Sequence, residues 1–244
     1  GPSAAPLSDA AVFVAHAEAI RLVGLAVASA PNGVAGDDAQ GVRILSSRKV
    51  TLSDARIEET YRGALVFESD AVVIRGCIIL GSGADGIAAR GAQDFLVEGN
   101  IIGDFRPVNA AAIHPDGVQL WSKSAARASR NVVIRGNVIR RGDGAPAQGV
   151  FARTPEIATE GLVIENNVIE QSMGQGIFVQ NAVGVTIRGN TLSPVAPLVH
   201  PPAIEVRAPF SNALVEHNAA PKFRLPPGVD ARANAATTAT AVIR

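Results

Sequence analysis

The segment Ile113-His114-Pro115-Asp116-Gly117-Val118-Gln119-Leu120-Trp121 puts an imidazole, a carboxyl, a carboxamide and an indole within nine residues. An imidazole such as His114 titrates near neutral pH and can take up or release a proton there. Asp116 stands directly before a glycine, and Asp85 holds the same place before Gly86. Two carboxyls side by side repel unless they share a proton, bind a cation or face a guanidinium. The pair therefore reads as a proton-transfer device or as a calcium site. Gln148 and Gln175 stand at the equivalent point before Gly149 and Gly176, so the slot also reads as a plain ladder of polar turn residues. Asp-Gly is itself a common turn dipeptide. His200-Pro201 repeats His114-Pro115 before Ala203, which gives the His-Pro pair a partly structural reading as well.

The elements that position these residues are announced by a repeated phrase. It appears as Val97-Glu98-Gly99-Asn100, Ile134-Arg135-Gly136-Asn137, Ile164-Glu165-Asn166-Asn167, Ile187-Arg188-Gly189-Asn190 and Val215-Glu216-His217-Asn218. Successive Asn residues fall 37, 30, 23 and 28 positions apart, a solenoid signature in which extra residues must leave the stack as loops. Each unit opens with a small residue, usually Gly, and a short alternating strand: Val42 to Leu45, Ala64 to Phe67, Ile87 to Arg90, Val118 to Trp121, Val150 to Arg153, Ile177 to Gln180 and Ile204 to Arg207. A weaker copy begins at Ala11. A second strand follows 8 to 14 residues later, and a third begins just after the Asn. Short Val- and Ile-rich strands punctuated by Gly and Asn predict an all-β fold, a single-domain parallel β-helix of about eight coils with three strands per coil. Coils stack about 4.8 Å apart, so the Asn column forms an amide ladder whose role is structural. Ala55 and Cys77 fill the same slot in earlier coils, which turns Cys77 inward as a small buried hydrophobe.

Loop lengths point to a place on this scaffold. The second strand starts 8 residues after the first in plain coils (Val42 to Val50), but 14 after Val118 and 12 after Val150. From the second strand to the next opening glycine the plain distance is 13 or 14, against 22 from Phe95 to Gly117 and 17 from Val132 to Gly149. The extra residues thus flank both edges of the strands opening at Gly117 and Gly149. Loops on a rigid scaffold are the usual carriers of binding and catalysis. Alternation turns Val118 and Leu120 inward and Gln119 and Trp121 outward. The same register makes an outward column of Arg90, Trp121, Arg153, Gln180 and Arg207, beside Phe151, Phe178 and Glu205. Guanidinium groups match carboxylate and sulfate, and an indole can stack on a sugar ring. Arg90, Gln119, Trp121, Gln148, Phe151, Gln180 and Arg207 are the expected substrate-binding set, and His114, Asp116, Arg153 and Asp85 the expected catalytic set. Asp143 is a further carboxylate near the groove.

The Val-Ile-x-Gly-Asn-x-Ile phrase, over roughly Ala11 to Asn218, resembles the right-handed parallel β-helix proteins of the pectin-lyase-like group. The resemblance implies a right-handed helix and a long polysaccharide bound in a groove along its axis. It also implies an extracellular, periplasmic or cell-surface setting. The group includes pectate lyases, polygalacturonases, alginate lyases, mannuronan epimerases and phage tailspikes, so the reaction must be argued from the site. No complete catalytic motif of the pectate lyases, polygalacturonases or mannuronan epimerases is present.

Two reactions fit the constellation. In a lyase of uronic-acid polymers, an arginine or calcium neutralises the sugar carboxylate and a base such as His114 removes the ring hydrogen. In an inverting hydrolase, one carboxylic acid protonates the leaving oxygen while a second carboxylate, about 6.5 to 9.5 Å away, activates water. β-Elimination is the preferred expectation, with hydrolysis or a non-catalytic polysaccharide-binding solenoid as alternatives. Bulk properties exclude little more. Twenty-two basic and 22 acidic residues leave no net field to attract nucleic acid or an anionic membrane. No apolar run approaches the roughly 18 residues of a membrane span. A single cysteine excludes an internal disulfide. Gly1-Pro2 reads as a tag remnant and residues 1–10 as lead-in, with residues 11–218 as the β-helix and 219–244 as a cap and loose tail. An acidic polysaccharide is the expected partner, a monomer the expected state, and no cofactor is required, with calcium as an option through Asp85 and Asp116.

Overall fold

The computed structural model describes residues 10–29, 40–107, 114–171 and 173–238. The expected tag remnant and the last six residues lie outside these. Among the described residues there is no helix, and every strand pairing between coils is parallel. The first strands run through Ala10–Ala15, Gln40–Leu45, Ala64–Phe67, Ile87–Arg90, Asp116–Trp121 and Gln148–Arg153 to Gln175–Arg188 and Ala203–Glu216. Second strands from Arg21–Val23 to Thr159–Glu165 build the other wing of the same sheet, and nine third strands form a separate sheet. The expected strand positions and coil register are reproduced throughout.

Inward positions of the three strands stack Val on Val and Ile on Ile in one continuous core, from Val42, Ile44 and Leu52 to Ile204, Val206 and Val215. The opening glycines have a packing cause. A β-carbon at Gly41, Gly63, Gly86, Gly117 or Gly149 would run into the inner isoleucine of the third strand, Ile57, Ile79, Ile102, Ile139 or Ile169, and into the carbonyl of the next opening glycine. The asparagine column is a buried amide ladder. Asn137 donates through Nδ2 to the Val97 carbonyl at 3.0 Å and to Asn167 Oδ1 at 2.9 Å. Its own Oδ1 accepts from the Asn100 backbone N–H at 3.0 Å and from Asn100 Nδ2 at 2.9 Å. Cys77 is fully buried in the slot before the ladder begins, its N–H on Asn100 Oδ1 at 2.9 Å, and burial pushes its thiol pKa up.

Two features differ from the sequence expectation. In the last two full coils the first and second strands are continuous, Gln175–Arg188 and Ala203–Glu216, and the bend between wings is absorbed inside the strand by Asn181, Gly184 and Asn212 at positive φ. The segment expected to be a cap and tail adds a further coil: Lys222–Arg224, Asp230–Arg232 and Ala235–Ala236 pair onto the stack. Asn234 Oδ1 accepts from the Asn218 N–H at 3.0 Å, so the ladder runs one rung beyond Asn218. The residues that end the second strands alternate in charge from coil to coil, in the aligned series Arg75, Glu98, Arg135, Glu165, Arg188, Glu216 and Arg232. Arg135 meets Glu98 and Arg188 meets Glu165, each through Nε at 2.7 Å.

Candidate functional site

The long loops meet across the first-strand face. On one edge, Ser122 Oγ accepts from the N–H groups of Glu156 and Ile157 at 3.0 and 3.3 Å, tying the loops of two coils together. The 122–129 loop also leans back along the stack, where Arg127 bonds the Gly91 carbonyl at 2.8 Å and the Asp70 carboxylate at 2.7 Å. On the other edge, the Ala145 N–H reaches the Phe105 carbonyl at 2.8 Å and Arg141 Nη1 the Ala196 carbonyl at 2.5 Å. Residues 108–113, inside the longest insertion, lie outside the described residues.

Between the rims, the slot before each opening glycine holds Gln40, Arg62, Asp85, Asp116, Gln148 and Gln175 in consecutive coils. Asp85 and Asp116 are adjacent: the Gly86 N–H bonds the Asp116 carbonyl at 2.9 Å, and the Gly63 N–H bonds that of Asp85 at 3.2 Å. Both side chains are buried. Arg62 Nε donates to Asp85 Oδ2 at 2.7 Å, and its guanidinium lies 4.8 Å from the Tyr61 ring centroid. Burial opposes the charge on Arg62, but Asp85 more than offsets it and the guanidinium pKa stands above its ordinary value. Asp116 lacks such a partner. Its Oδ2 accepts from Gln119 Nε2 at 2.7 Å, and its buried Oδ1 has no hydrogen-bond partner among the described residues.

Burial therefore pushes the Asp116 carboxyl well above the usual carboxylate range, and the charge of Asp85 pushes the same way. The Gln119 hydrogen bond and Arg62 oppose this only in part. Of the ways to relieve a carboxylate pair, the site visibly uses a guanidinium, which holds Asp85. Arg62 brings beside Asp85 the positive charge that calcium would otherwise supply. The described residues bring no third His, Asp or Glu to the pair.

The other expected residues divide into groups. Gln148 aligns with Asp116, and its buried Oε1 has no hydrogen-bond partner among the described residues. Arg90 is half-buried, its Nε without a hydrogen-bond partner among the described residues, and burial, with Arg62 nearby, lowers its pKa. Trp121 aligns with Arg153, whose guanidinium carbon lies 5.6 Å from the indole centroid. Phe151 and Phe178 stack at 4.8 Å, and Arg207 covers Phe178 at 5.1 Å. Gln180 turns its amide to the Ala208 carbonyl at 3.3 Å. His114 is exposed at the rim, two residues from Asp116, and makes no side-chain hydrogen bond among the described residues. Asp143 faces elsewhere: it lines hollows of about 180 and 460 Å³ on the third-strand side, with Asp104 and Arg106 in one and Arg140 and Glu170 in the other. Arg62 was missed in the sequence, although it stands in the same slot before a glycine as Asp85.

The family described as "Right handed beta helix region" matches residues 26–197. The chain belongs to this family. Among solved structures, this β-helix is similar to the Dettilon tailspike protein, with a TM-score of 0.64 and 11% identity over 91% of this chain and 46% of that one. It is also similar to PfbA, a surface adhesin of Streptococcus pneumoniae, with a TM-score of 0.62 and 13% identity over 88% and 65%. The A-module of the Azotobacter vinelandii mannuronan C-5 epimerase AlgE4 gives a TM-score of 0.52 and 16% identity over 97% and 77%. The β-helix thus spans about half the tailspike and about two thirds of the adhesin. No curated protein matches it in sequence.

Proposed function

We propose that this protein binds an acidic polysaccharide along its first-strand face and cleaves it beside Asp116 by β-elimination. One observation carries the reading: Asp116 is a buried carboxyl, its pKa pushed well up by burial and one oxygen uncommitted among the described residues, next to an arginine-held carboxylate in a groove between two loop rims. A neutral carboxyl and the Arg90 guanidinium can both donate to a uronate carboxylate, which makes the hydrogen on the adjoining ring carbon more acidic. His114 takes that proton, the electron pair forms a ring double bond, and the glycosidic C–O bond breaks with a proton delivered to the leaving oxygen. Trp121 with Arg153, and the Phe151–Phe178 stack, give sugar rings apolar surfaces along the track.

Hydrolysis is the second reading, favoured by the contrast between Asp116, whose pKa burial pushes up, and the arginine-paired Asp85. The backbones of these residues lie one coil apart, about 4.8 Å. Elimination is preferred because guanidinium groups recur along the outward column, at Arg90, Arg153 and Arg207, where they can meet sugar carboxylates. The names of the similar proteins, a mannuronan epimerase and a surface adhesin, support a polysaccharide partner and an extracellular, periplasmic or cell-surface setting. The groove is built within one chain, and the reading requires no metal. Incubation with acidic polysaccharides tests it. Elimination yields unsaturated ends that absorb in the ultraviolet, whereas hydrolysis yields reducing ends without that absorbance. Retention without product leaves a binding protein, and unchanged cleavage by both Asp116→Ala and His114→Ala removes these residues from the chemistry.

A further inference from the structure

We infer that Arg207 and Arg224, both anchored on the buried carboxylate of Glu205, form a second anion-recognising subsite at the far end of the groove, for a sugar carboxylate or sulfate. The inference rests on the polysaccharide reading but not on cleavage. Glu205 is 4% exposed and lies in the outward column that continues Gln119, Phe151 and Phe178. One of its oxygens accepts from Arg207 Nε, and the other accepts from Arg224 Nη1 at 3.0 Å. The three groups carry a net charge of +1. Arg207 engages Glu205 through Nε alone, so both its terminal nitrogens remain available, and its side chain is 56% exposed. Arg224 is 37% exposed, and its Nη1 also reaches the Gly174 carbonyl at 3.5 Å. Phe178 supports the Arg207 plane from below.

A buried carboxylate that fixes two guanidinium groups while their outer edges face solvent is preorganised for bidentate recognition of an oxyanion. Arg224 comes from the coil beyond Asn218, in register with Glu205, so the groove extends into the segment expected to be a cap. Three coil steps separate Asp116 from Ala203, which opens the Glu205 strand, a distance of about 14 Å. A polymer bound at Asp116 therefore passes this pair several rings from the reacting bond, and Glu205 acts as a positioning residue.

The test is calorimetric titration of an Asp116→Asn protein with polyuronate oligosaccharides, sulfated oligosaccharides and carboxyl-reduced neutral ones. The expected result is preferential binding of one anionic class, weakened about tenfold by Arg207→Gln and by Arg224→Gln, with binding of the neutral compound unchanged. Arg224→Gln combined with Glu205→Gln removes the buried charge as well and keeps the assay open should the single variant fail to fold. Equal binding of anionic and neutral compounds by the parent overturns the inference, as does anion binding that survives loss of both arginines or falls equally for neutral sugars. Anion binding that depends on these arginines, in a wild-type protein that yields no cleavage product, leaves the subsite standing and sinks the reaction proposed above.

Discussion

Arg62 donates to Asp85 at 2.7 Å, whereas Asp116, one coil further on, is bonded among the described residues by the carboxamide of Gln119 alone. Two carboxyls in equivalent backbone positions thus have unlike surroundings. Burial, and then the charge of Asp85, push the Asp116 carboxyl well above the ordinary carboxylate range, and the arginine on the Asp85 side opposes this only in part. This asymmetry is the strongest chemical statement the site makes.

It predicts a pH dependence of stability with a definite sign. Folding raises the Asp116 pKa, so between the unfolded and folded values the native chain holds a proton that the unfolded chain has released. Stability must then fall as pH rises through that window, by at most about 1.4 kcal/mol per pH unit for one group. Asp116→Asn keeps an acceptor for Gln119 and removes the titration. We expect urea unfolding of the wild type to show this loss as pH rises above the ordinary aspartate pKa of about 3.9, and the Asn variant to flatten it. Parallel slopes in the two proteins would mean that Asp116 ionises freely.

The Arg62–Asp85 pair makes a separate prediction about cost. Arg62→Gln leaves a carboxylate with 4% side-chain exposure without its cation, which should cost about 3 kcal/mol in urea unfolding at pH 7. Adding Asp85→Asn removes the stranded charge and should restore most of that loss. A double variant no better than the single one would show that Arg62 acts through packing on Tyr61 instead.

The contrast between Asp85 and Asp116 also marks what was legible in the sequence. Local repeats revealed the fold, because stacking forces the same Val, Ile, Gly and Asn pattern into every coil, and the Trp121–Arg153 and Phe151–Phe178 neighbours followed from strand alternation. Interactions set by side-chain reach between coils were hidden. Arg62 stood visibly in the slot before Gly63, yet its bond to Asp85 depends on a long side chain turning along the helix axis. The alternating charges from Arg75 to Arg232 lay inside the very phrase that revealed the fold, but they acquire meaning only when coils of unequal length are aligned. The last coil was obscured because Asn234 follows Asn218 by only 16 residues, shorter than any earlier interval, so Arg224 could not be assigned to the groove.

Cys77 offers a test of the ladder by addition. Its N–H already bonds Asn100 Oδ1, and its sulfur lies 3.8 Å from the Leu52 carbonyl, where later asparagines place Nδ2. Cys77→Asn would extend the ladder by one rung and give the Leu52 carbonyl a stronger donor. We expect a gain of about 1 kcal/mol in urea unfolding. Asn137→Ala should instead lose about 2 kcal/mol or more, because it strands the Val97 carbonyl and the Asn100 N–H in the core. Destabilisation by Cys77→Asn would show that the slot is too tight for an amide, and that the ladder begins at Asn100 for steric reasons.

Trp121 is the only tryptophan in the chain, so its fluorescence reports on the groove without interference. It is half-buried, with the exposed Arg153 guanidinium over its ring, and ends the strand that Asp116 begins. A sugar stacking there must displace or share the arginine, and either event changes the polarity at the indole. Titrating the Asp116→Asn protein with an acidic oligosaccharide should therefore shift or quench the emission with the same midpoint as calorimetry. Trp121→Leu should weaken binding about fivefold, since an aromatic contact contributes on the order of 1 kcal/mol beyond its area. Saturating binding by calorimetry with no change in emission would place the ligand away from this face, and would remove Trp121 and Arg153 from the binding track together.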